Sequence, residues 1–573
     1  MEIILTTDYA DIFPGEDETV VSLLKDIPSP LLIQLISALN SELYIRDQGM
    51  PTQIKILDLL LKRQASDVKE KILTRVLSKV RKNEENLYFF SIMFNMNFLH
   101  YELTHFRDLP YDELSVDQEL RVFKAYLRIA ETTNDAYIKA MGTIPPYNNE
   151  YFRKTVWPTL IDQFELNKQL TPFPTLVRGA VFFNYLKNHS RYSKYAESYL
   201  QRHGKATALN YLFDIANLFV AGSNRSAEMS PDGLATFSTQ SAPGFITLFE
   251  QFTLDREAYA KLYQNSKSNF SGIKSKPLYK LNDNNYLILH WGYLTNKMYE
   301  GLIFDFYQYS GIAEHHDFKA FTDFKRFLGE SITERYLVRK LLTRMFSRKH
   351  QILKFDEKEI KGFPDAYFRR GNDVFLFEIK DAYFPASAIN GYSYEKIKAA
   401  IDQKMNNETK GTGQFIKQLK SLTKQPFENP VRYKHLRNLN IYPVIIYADL
   451  IFDMPGVDQY LQDEFKAKVL ANGLEKHYKK IKPLTFINLT FLIKNFDLLE
   501  ENGTRLSDLI EHYNSEIVKR KKRSERTRDL IDHMRVYTSF EQIVSDMLPH
   551  TNLKRNYLDT CIKVLDLKEG LPV

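Results

Sequence analysis

A single predicted β-hairpin constrains the fold of this chain more than any other feature. Residues 362–384 read GFPDAYFRRGNDVFLFEIKDAYF. The runs FPDAYF and VFLFEIKDA are rich in the aromatic and β-branched residues that favour strands. Between them, RRGND contains the glycine, asparagine and aspartate that are typical of tight turns. The segment therefore predicts two antiparallel strands joined by a short turn.

The hairpin brings three polar side chains to one place. Side chains alternate between the two faces of a strand, so Glu378 and Lys380 are expected on the same face, roughly 7 Å apart. Ile379 is expected on the opposite, apolar face. Asp365 lies on the partner strand or at its entry and is expected beside Glu378. A charged pair at the end of an apolar strand is costly to bury without a partner, so this cluster needs a reason to exist.

The rest of the chain predicts a helical half followed by an α/β half. Residues 20–220 repeat apolar positions at helical spacing, and 276–294 predict two short strands around the turn NDNN. From about 320 the order is a long amphipathic helix, the hairpin, a helix around GQFIKQLKSLTK, and a strand at 440–452. A helix near 458–480 and a strand at 482–493 follow. This order predicts helices around one mixed sheet.

The cluster has the groups that phosphodiester hydrolysis requires. Two carboxylates, Asp365 and Glu378, offer the oxygen ligands that Mg²⁺ or Mn²⁺ prefers, and the Ile379 carbonyl is a candidate additional ligand. Lys380 is suited to orient or deprotonate the attacking water and to offset charge on the phosphoryl group. The acid–x–Lys spacing is not specific, since it recurs at Asp67–Lys69 among other places. The alternative is a surface hairpin with a cross-strand salt bridge.

With its helical context, the hairpin resembles the PD-(D/E)xK nuclease superfamily, which has the restriction-endonuclease-like fold. The residues that carry the resemblance are Pro364-Asp365 and, at hairpin distance, Glu378-Ile379-Lys380. The fold expected from it is an α/β nuclease domain, a mixed sheet flanked by helices, preceded by a large mainly α-helical domain. The resemblance covers roughly 320–500.

The resemblance implies roles for particular residues. Asp365 and Glu378 would be metal ligands and Lys380 the catalytic lysine. Glu334, on the helix before the hairpin, would be an auxiliary metal ligand, with Glu330 four residues earlier as the alternative. Further along the chain, Gln414 and Gln418 are expected on one face of a helix. Gln414 would support the metal site or the phosphate, and Lys417 beside it would contact nucleic acid.

The predicted domain boundaries follow from these patterns. Residues 1–270 are expected to form a mainly helical domain for regulation, partner binding or substrate recognition. A connecting β/helical segment is expected at 271–310. Residues 311–573 are expected to form the nuclease domain with a C-terminal helical extension.

A basic run near the C-terminus is a second candidate contact with nucleic acid. The segment KRKKRSERTR spans 519–528, and basic residues at such density can follow a phosphate backbone. The alternative is a solvated helix face. The proposed contacts in this run are Lys519, Arg520, Lys521, Lys522 and Arg523.

Two other motifs carry little weight. HGKAT at 203–207 superficially resembles a phosphate-binding loop, but it lacks the first glycine and the preceding strand that such loops need. The pair His315-His316 is read as having no carboxylate or cysteine at ligand spacing, so no zinc site is predicted there.

Composition narrows the cellular setting. The net charge of +7 permits a nucleic-acid partner without demanding one. The lone cysteine, Cys561, excludes an intrachain disulfide framework and fits a reducing cytoplasm. The N-terminal sequence lacks the pattern of a signal peptide, and the most apolar segment, 87–99, is short for a membrane span. A cytoplasmic protein without membrane contact is expected.

These observations predict a Mg²⁺- or Mn²⁺-dependent endonuclease with DNA as the favoured substrate and RNA as the alternative. By analogy, a large extra domain suggests a bacterial restriction or antiphage defence effector. A separately encoded ATPase or sensor is an expected protein partner, and the chain leaves oligomerisation open. A competing hypothesis is a catalytically silent nuclease fold that serves as a nucleic-acid-binding scaffold or as an adaptor for such an ATPase.

Overall fold

A computed structural model of the chain describes most of its residues. The described ranges are 3–45, 49–77, 85–110, 113–141, 149–167, 172–225, 236–240, 243–264, 270–356, 361–501, 505–527, 530–548 and 557–567. Residues 226–235 and 241–242 lie outside them.

The chain divides into two compact units. The helical unit contains Glu2–Ala140 and Leu166–Glu314, and the sheet unit contains Met141–Glu165 and His315–Gly570. This division differs from the predicted boundaries in two places. Residues 271–310 belong to the helical unit, because the strand Asn285–Ile288 pairs with Thr236–Ser238 upstream. Residues 141–165 belong to the sheet unit, where the Trp157 indole N–H donates to the Pro455 carbonyl at 2.9 Å.

Helices make up most of both units. In chain order the α-helices are α1 (Tyr9–Ile12), α2 (Val20–Leu24), α3 (Ser29–Ile45), α4 (Met50–Leu60), α5 (Ser66–Leu77), α6 (Ile92–Thr104), α7 (Val116–Met141), α8 (Asn149–Asn167), α9 (Pro172–Lys187), α10 (Ser193–Arg202), α11 (Ala208–Arg225), α12 (Ile246–Phe252), α13 (Arg256–Tyr263), α14 (Ser271–Ser275), α15 (Trp291–Asn296), α16 (Glu300–Tyr309), α17 (Phe321–Phe327), α18 (Arg339–Met345), α19 (Ala386–Ile389), α20 (Tyr394–Met405), α21 (Thr412–Lys424), α22 (Val457–Ala471), α23 (Leu489–Glu501), α24 (Leu506–Thr527), α25 (Leu530–Arg535), α26 (Phe540–Val544) and α27 (Tyr557–Leu565). A π-helical segment, Leu328–Val338, joins α17 to α18 without a break. Among the described residues, no helix is both long enough and apolar enough to cross a membrane.

The strands form three sheets. In chain order they are β1 (Ile3–Thr6), β2 (Glu85–Tyr88), β3 (Thr236–Ser238), β4 (Leu278–Lys280), β5 (Asn285–Ile288), β6 (Ile352–Phe355), β7 (Ala366–Arg370), β8 (Asp373–Lys380), β9 (Asn440–Tyr447), β10 (Lys480–Ile481) and β11 (Thr485–Asn488). The helical unit holds the parallel pair β1–β2 and the antiparallel sheet β3–β5–β4. The predicted strands around NDNN are thus confirmed as β4 and β5.

The sheet unit is built on one mixed sheet, as predicted. Its order is β10–β9–β8–β7–β6, with β11 also paired to β9. The pairs β6–β7 and β7–β8 are antiparallel, whereas β9 runs parallel to β8. The two-residue turn of the hairpin begins at Gly371, whose φ of +58° is favourable for glycine.

The two faces of this sheet pack against different helices. On one face, Tyr367, Val374 and Leu376 join the core formed with α20, α21 and α22. On the other face, Phe346 at the end of α18 stacks on Phe368 with ring centroids 3.8 Å apart. The site described below lies where the hairpin ends between these two layers.

One predicted strand is partly wrong. The apolar run 482–493 was expected to be a strand throughout, but β11 ends at Asn488 and α23 begins at Leu489. The Asn488 side-chain oxygen accepts the Thr490 N–H at 2.7 Å, which satisfies a free donor at the helix start. Apolar periodicity alone does not separate a short buried strand from a buried helix.

Candidate active site

Asp365 lies where the ladder between β7 and β8 stops. The last paired residues are Ala366 and Phe377, so the next residues of β8 have no backbone partner on the β7 side. Instead, the Ile379 N–H donates to the Asp365 carboxylate at 2.7 Å. The aspartate thus replaces a missing strand residue and is held beside Glu378.

Glu378 and Lys380 occupy the same face of β8, as the alternation predicts. The Lys380 ammonium donates to Glu378 Oε2 at 2.8 Å and to Gln414 Oε1 at 2.7 Å. Glu378 is fully buried, and its second oxygen accepts a hydrogen bond from the Gln418 amide. Gln414 and Gln418 lie one turn apart on α21, so one helix holds both ends of the Glu378–Lys380 pair. Gln418 was noted in the sequence only as a neighbour of Gln414.

The start of α21 is fixed by a glycine. Gly411 has a φ of +56°, and a Cβ there would collide with the Met405 carbonyl. The Gly411 N–H donates to Gln414 Oε1 at 3.1 Å, the same oxygen that accepts from Lys380. The close approach of α20 and α21 therefore sets the orientation of Gln414.

Glu334 lies on the π-helical segment and is half-buried. Burial and, to a smaller extent, the Asp365 charge raise the pKa of its carboxyl to about 7, although Arg335 and Lys380 oppose the shift. Glu334 is therefore close enough to Asp365 and Lys380 to share their electrostatics. Glu330 is exposed, so of the two predicted alternatives Glu334 is the one that joins the cluster. π-helical turns are rare and are frequent at functional sites.

The cluster contains more acidic groups than basic groups. Burial and, to a smaller extent, repulsion from Asp365 raise the pKa of Glu378 to about 8, although Lys380 counteracts the rise. Burial also raises the pKa of Asp365. Burial lowers the pKa of Lys380, but the attraction of Glu378 and Asp365 outweighs this and the net shift is upward. Three carboxyls thus face one ammonium that stays charged.

The cluster offers donor atoms of the kind that a hard divalent cation prefers. Asp365, Glu378 and Glu334 supply carboxylate oxygens, the ligand type that Mg²⁺ prefers, but among the described residues the three ligand atoms that all lie within 4.8 Å of one another are those of His315, His316 and Asp317. The N–H and C=O of one strand residue point to the same edge, so the Ile379 carbonyl is directed to the side on which its N–H meets Asp365. The buried Gln418 Oε1 also has no hydrogen-bond partner. A bound cation would offset the charge of the carboxylates, and a water molecule in its shell would donate a hydrogen bond to Gln418 Oε1.

Sequence reasoning missed a buried clamp directly after the EIK triplet. The Asp381 carboxylate accepts from the Lys325 ammonium at 2.6 Å and from the Thr333 hydroxyl at 2.5 Å. The Lys325 ammonium lies 4.2 Å from the centre of the Tyr383 ring. The clamp fastens the segment that carries Glu334 to the end of β8. The spacing between Lys325 and Thr333 does not predict the clamp, because both residues are far from Asp381 in the sequence.

The structure separates the other candidates from this cluster. Lys417 is exposed on α21, on a different side from the buried Gln418. On α24, Arg520 donates to the Arg535 carbonyl at 3.0 Å, and Arg523 pairs with Asp532. Lys519 pairs within its helix, whereas Lys521 and Lys522 are exposed. The basic run therefore contributes partly to helix packing.

The two weaker motifs also have defined places. The loop at 203–207 follows α10, and its His203 is buried with Nδ1 bonded to the Tyr199 carbonyl. His315 and His316 have a carboxylate neighbour that sequence reasoning overlooked, Asp317, and the three ligand atoms lie within 4.8 Å of one another. The Asp317 N–H already bonds His315 Nδ1 at 3.2 Å.

Three comparisons with known proteins give no relative to argue from. The chain matches no protein-family model, no curated protein and no solved structure. The site must therefore be interpreted from its own geometry.

Proposed function

We propose that the protein is a metal-dependent nuclease that hydrolyses phosphodiester bonds at the cluster formed by Asp365, Glu378, Glu334 and Lys380. The observation that carries the proposal is the imbalance of charge at the end of β8. Three carboxyls converge on one lysine, and two of them have a pKa near neutrality. A site built only for stability would pair these charges one to one.

Element order supports this chemistry. A helix precedes β6, β7 and β8, and helices α20 and α21 lie between β8 and its parallel neighbour β9. That order is the one expected for the PD-(D/E)xK nucleases. Glu378 and Lys380 lie on β8 and Gln414 lies on α21, as the resemblance requires.

Each residue has a defined task in the proposed reaction. Asp365, Glu378, the Ile379 carbonyl and Glu334 would hold Mg²⁺ or Mn²⁺. The bound cation would act as a Lewis acid that polarises the phosphoryl group and acidifies the attacking water. Lys380 stays protonated among the carboxylates, so its ammonium is suited to donate to a phosphoryl oxygen and offset its developing charge. Gln414 positions Lys380, and Gln418 positions Glu378.

DNA is the proposed substrate, and RNA is the alternative within the same chemistry. The test is a panel of supercoiled plasmid, linear duplex, single-stranded DNA and RNA, incubated with Mg²⁺, Mn²⁺ or EDTA. Cleavage that EDTA abolishes and that Glu378→Ala and Lys380→Ala each remove is the expected result. Asp67→Ala with Lys69→Ala, the same acid–x–Lys spacing on α5, is the matched control and should retain full cleavage.

Two outcomes would redirect the proposal. Cleavage of RNA alone would keep the mechanism and change the substrate. Binding of nucleic acid without EDTA-sensitive cleavage of any member of the panel would favour a catalytically silent scaffold. That second outcome would contradict the nuclease assignment.

A further inference from the structure

Where the chain re-enters the sheet unit, at His315, a turn brings two histidines and an aspartate together. The turn is His315–Phe318, and it is closed by the Phe318 N–H, which donates to the His315 carbonyl at 2.9 Å. One ligand atom from each of His315, His316 and Asp317 lies within 4.8 Å of the other two. We call this segment the histidine turn.

The distances within the histidine turn are close to those around a tetrahedral metal ion. His315 Nδ1 lies 3.5 Å from Asp317 Oδ2, and His316 Nε2 lies 3.1 Å from Asp317 Oδ1. Two ligands that each lie about 2.0–2.2 Å from a tetrahedral zinc ion are about 3.3–3.6 Å apart. Small side-chain rotations would therefore let the aspartate share a cation with the two rings.

His315 already directs a lone pair toward the aspartate. Its Nδ1 accepts the Asp317 N–H at 3.2 Å, so this nitrogen is unprotonated and faces the residue that supplies the carboxylate. A cation beside the carboxylate would replace the amide N–H as the partner of this lone pair. The His316 side chain is 79% exposed, so an ion can reach it from solvent.

The ligands are held in place before a metal binds. The His315 and His316 rings stack with their centroids 4.4 Å apart and their planes inclined by 25°. Phe318 is buried, and its ring lies 5.2 Å from that of Phe324 and 5.3 Å from that of Phe327, both on α17. The turn is therefore anchored to α17, which reduces the ordering that binding would require.

The ligand set of the histidine turn differs from that of the carboxylate cluster. Two imidazole nitrogens and one carboxylate oxygen suit Zn²⁺ and neighbouring transition metals, whereas Mg²⁺ prefers oxygen ligands alone. Three protein ligands leave one position of a tetrahedral zinc ion for water. The sequence argued against zinc because no carboxylate was expected near the two histidines, and Asp317 supplies one.

We propose that the histidine turn binds one Zn²⁺ through His315, His316 and Asp317, with water completing the coordination. The ion would fasten the turn that leads into α17, and α17 carries Lys325 of the clamp. Its effect would be on stability, because the turn shares no residue with the carboxylate cluster. The proposal does not depend on the nuclease activity.

The test is a zinc titration of the full-length protein carrying Glu378→Gln and Glu334→Gln, which weaken metal binding at the carboxylate cluster. A chromogenic zinc chelator competes for the ion and reports its free concentration. We expect one zinc ion per chain, retained in a large excess of Mg²⁺. His316→Ala and Asp317→Asn should each weaken binding at least about a hundredfold. The loss of a ligand should exceed the roughly 10- to 100-fold effect of altering a residue that only orients one.

Two exposed histidines outside the turn provide matched controls. His435→Ala and His477→Ala should leave zinc binding unchanged. Co²⁺ in place of Zn²⁺ gives a second measurement, because its visible absorption depends on its ligands and should change in His316→Ala. Thermal melting shows that each variant is folded, and zinc should raise the melting temperature only where the turn is intact.

Four outcomes would overturn the proposal. The first is the absence of zinc binding to the protein with the altered carboxylate cluster. The second is zinc that binds equally well to His316→Ala and Asp317→Asn. The third is zinc that excess Mg²⁺ displaces, since such an ion would lie on oxygen ligands alone. The fourth is an equal loss of binding in the His435→Ala and His477→Ala controls.

Discussion

Two buried charge clusters on the same hairpin show what distinguishes a structural ion pair from a candidate reaction centre. Near the turn, the Arg369 Nε lies 3.0 Å from both carboxylate oxygens of Glu428, and Nη1 donates to the Gly371 carbonyl at 2.6 Å. This pair is balanced and enclosed. At the other end, Lys380 faces Glu378, Asp365 and Glu334 together. The difference is one of charge balance, since burial is similar in the two places.

Burial of charge alone is therefore a poor guide to function. Both clusters have side chains from which water is almost excluded, and both use the hairpin as a base. A balanced pair needs nothing further from its surroundings. An unbalanced cluster is stable only if it retains protons or binds a cation, and that requirement makes it available for chemistry.

The largest effect is expected when a member of the unbalanced cluster is removed. Glu378→Ala or Lys380→Ala should lower metal-dependent cleavage by about a hundredfold to a thousandfold, because a ligand or the charge-offsetting donor is lost. Initial cleavage rates on the preferred nucleic acid measure the effect, with circular dichroism as a check on folding. Full cleavage by both folded variants would contradict the assignment.

The balanced pair should respond in the opposite way. Glu428→Gln leaves the Arg369 guanidinium without its buried counter-ion and should lower the free energy of unfolding by about 3–5 kcal/mol. Urea denaturation measures this. Replacing both members, as Arg369→Met with Glu428→Leu, should restore much of the loss. If Glu428→Gln instead abolished metal binding without changing stability, the two clusters would not differ as described.

The clamp next to the cluster offers an intermediate test. Asp381→Asn keeps the shape of the side chain but removes the charge that holds Lys325 and Thr333, so Glu334 should lose its fixed position. Cleavage should fall about tenfold to a hundredfold, as is typical when a group that orients a ligand is altered. Raising the Mg²⁺ concentration should recover part of the activity. No recovery, with a normal apparent metal affinity, would argue against a positioning role.

The protonation of the cluster predicts an opposite pH dependence with and without metal. The pKa of Glu378 is about 8 in the folded protein, above its ordinary value, so the folded state binds a proton that the unfolded state has lost. Without metal, this contribution to stability should therefore decline as the pH rises from about 4.5 to 8. Mg²⁺ competes with the proton, so its effect on the melting temperature should grow over the same range. Glu378→Gln should show neither trend, and an identical Mg²⁺ effect at pH 6 and pH 8.5 would count against the site.

The smallest expected effects lie outside both clusters. Lys417→Ala, or Lys521→Ala with Lys522→Ala, should weaken nucleic-acid binding modestly. Each phosphate contact that is lost should reduce the slope of log affinity against log salt by about one. Binding titrations at several salt concentrations measure this. Arg523→Ala should mainly affect the packing of α24 on α25, because it pairs with Asp532. If the salt dependence of binding changed in Arg523→Ala but not in the lysine variants, Arg523 would be the nucleic-acid contact and the lysines would not.

The sequence predicted the parts of the site that depend on local periodicity. Alternation along β8 placed Glu378 and Lys380 together, and helical spacing placed Gln414 and Gln418 on one side of α21. The sequence also favoured Glu334 over Glu330, because Glu334 heads the apolar-periodic part of its helix, and the structure leaves Glu330 exposed. The clamp at Asp381 was missed because tertiary packing brings its members together, which no local pattern encodes. The end of β11 was misjudged because an apolar run is compatible with strand and helix alike.

The π-helical segment Leu328–Val338 has a consequence for how this protein could change over evolutionary time. Each turn of such a segment contains an additional residue compared with an α-helix. Deletion of a single residue between Gly329 and Ile332 would rotate Glu334 by about 100° relative to the clamp partner Lys325. Glu334 would then no longer face Asp365 and Lys380, whose charges act on it in the present structure. If the proposed nuclease activity is present, a one-codon deletion, without any substitution, is thus a route by which it could be lost.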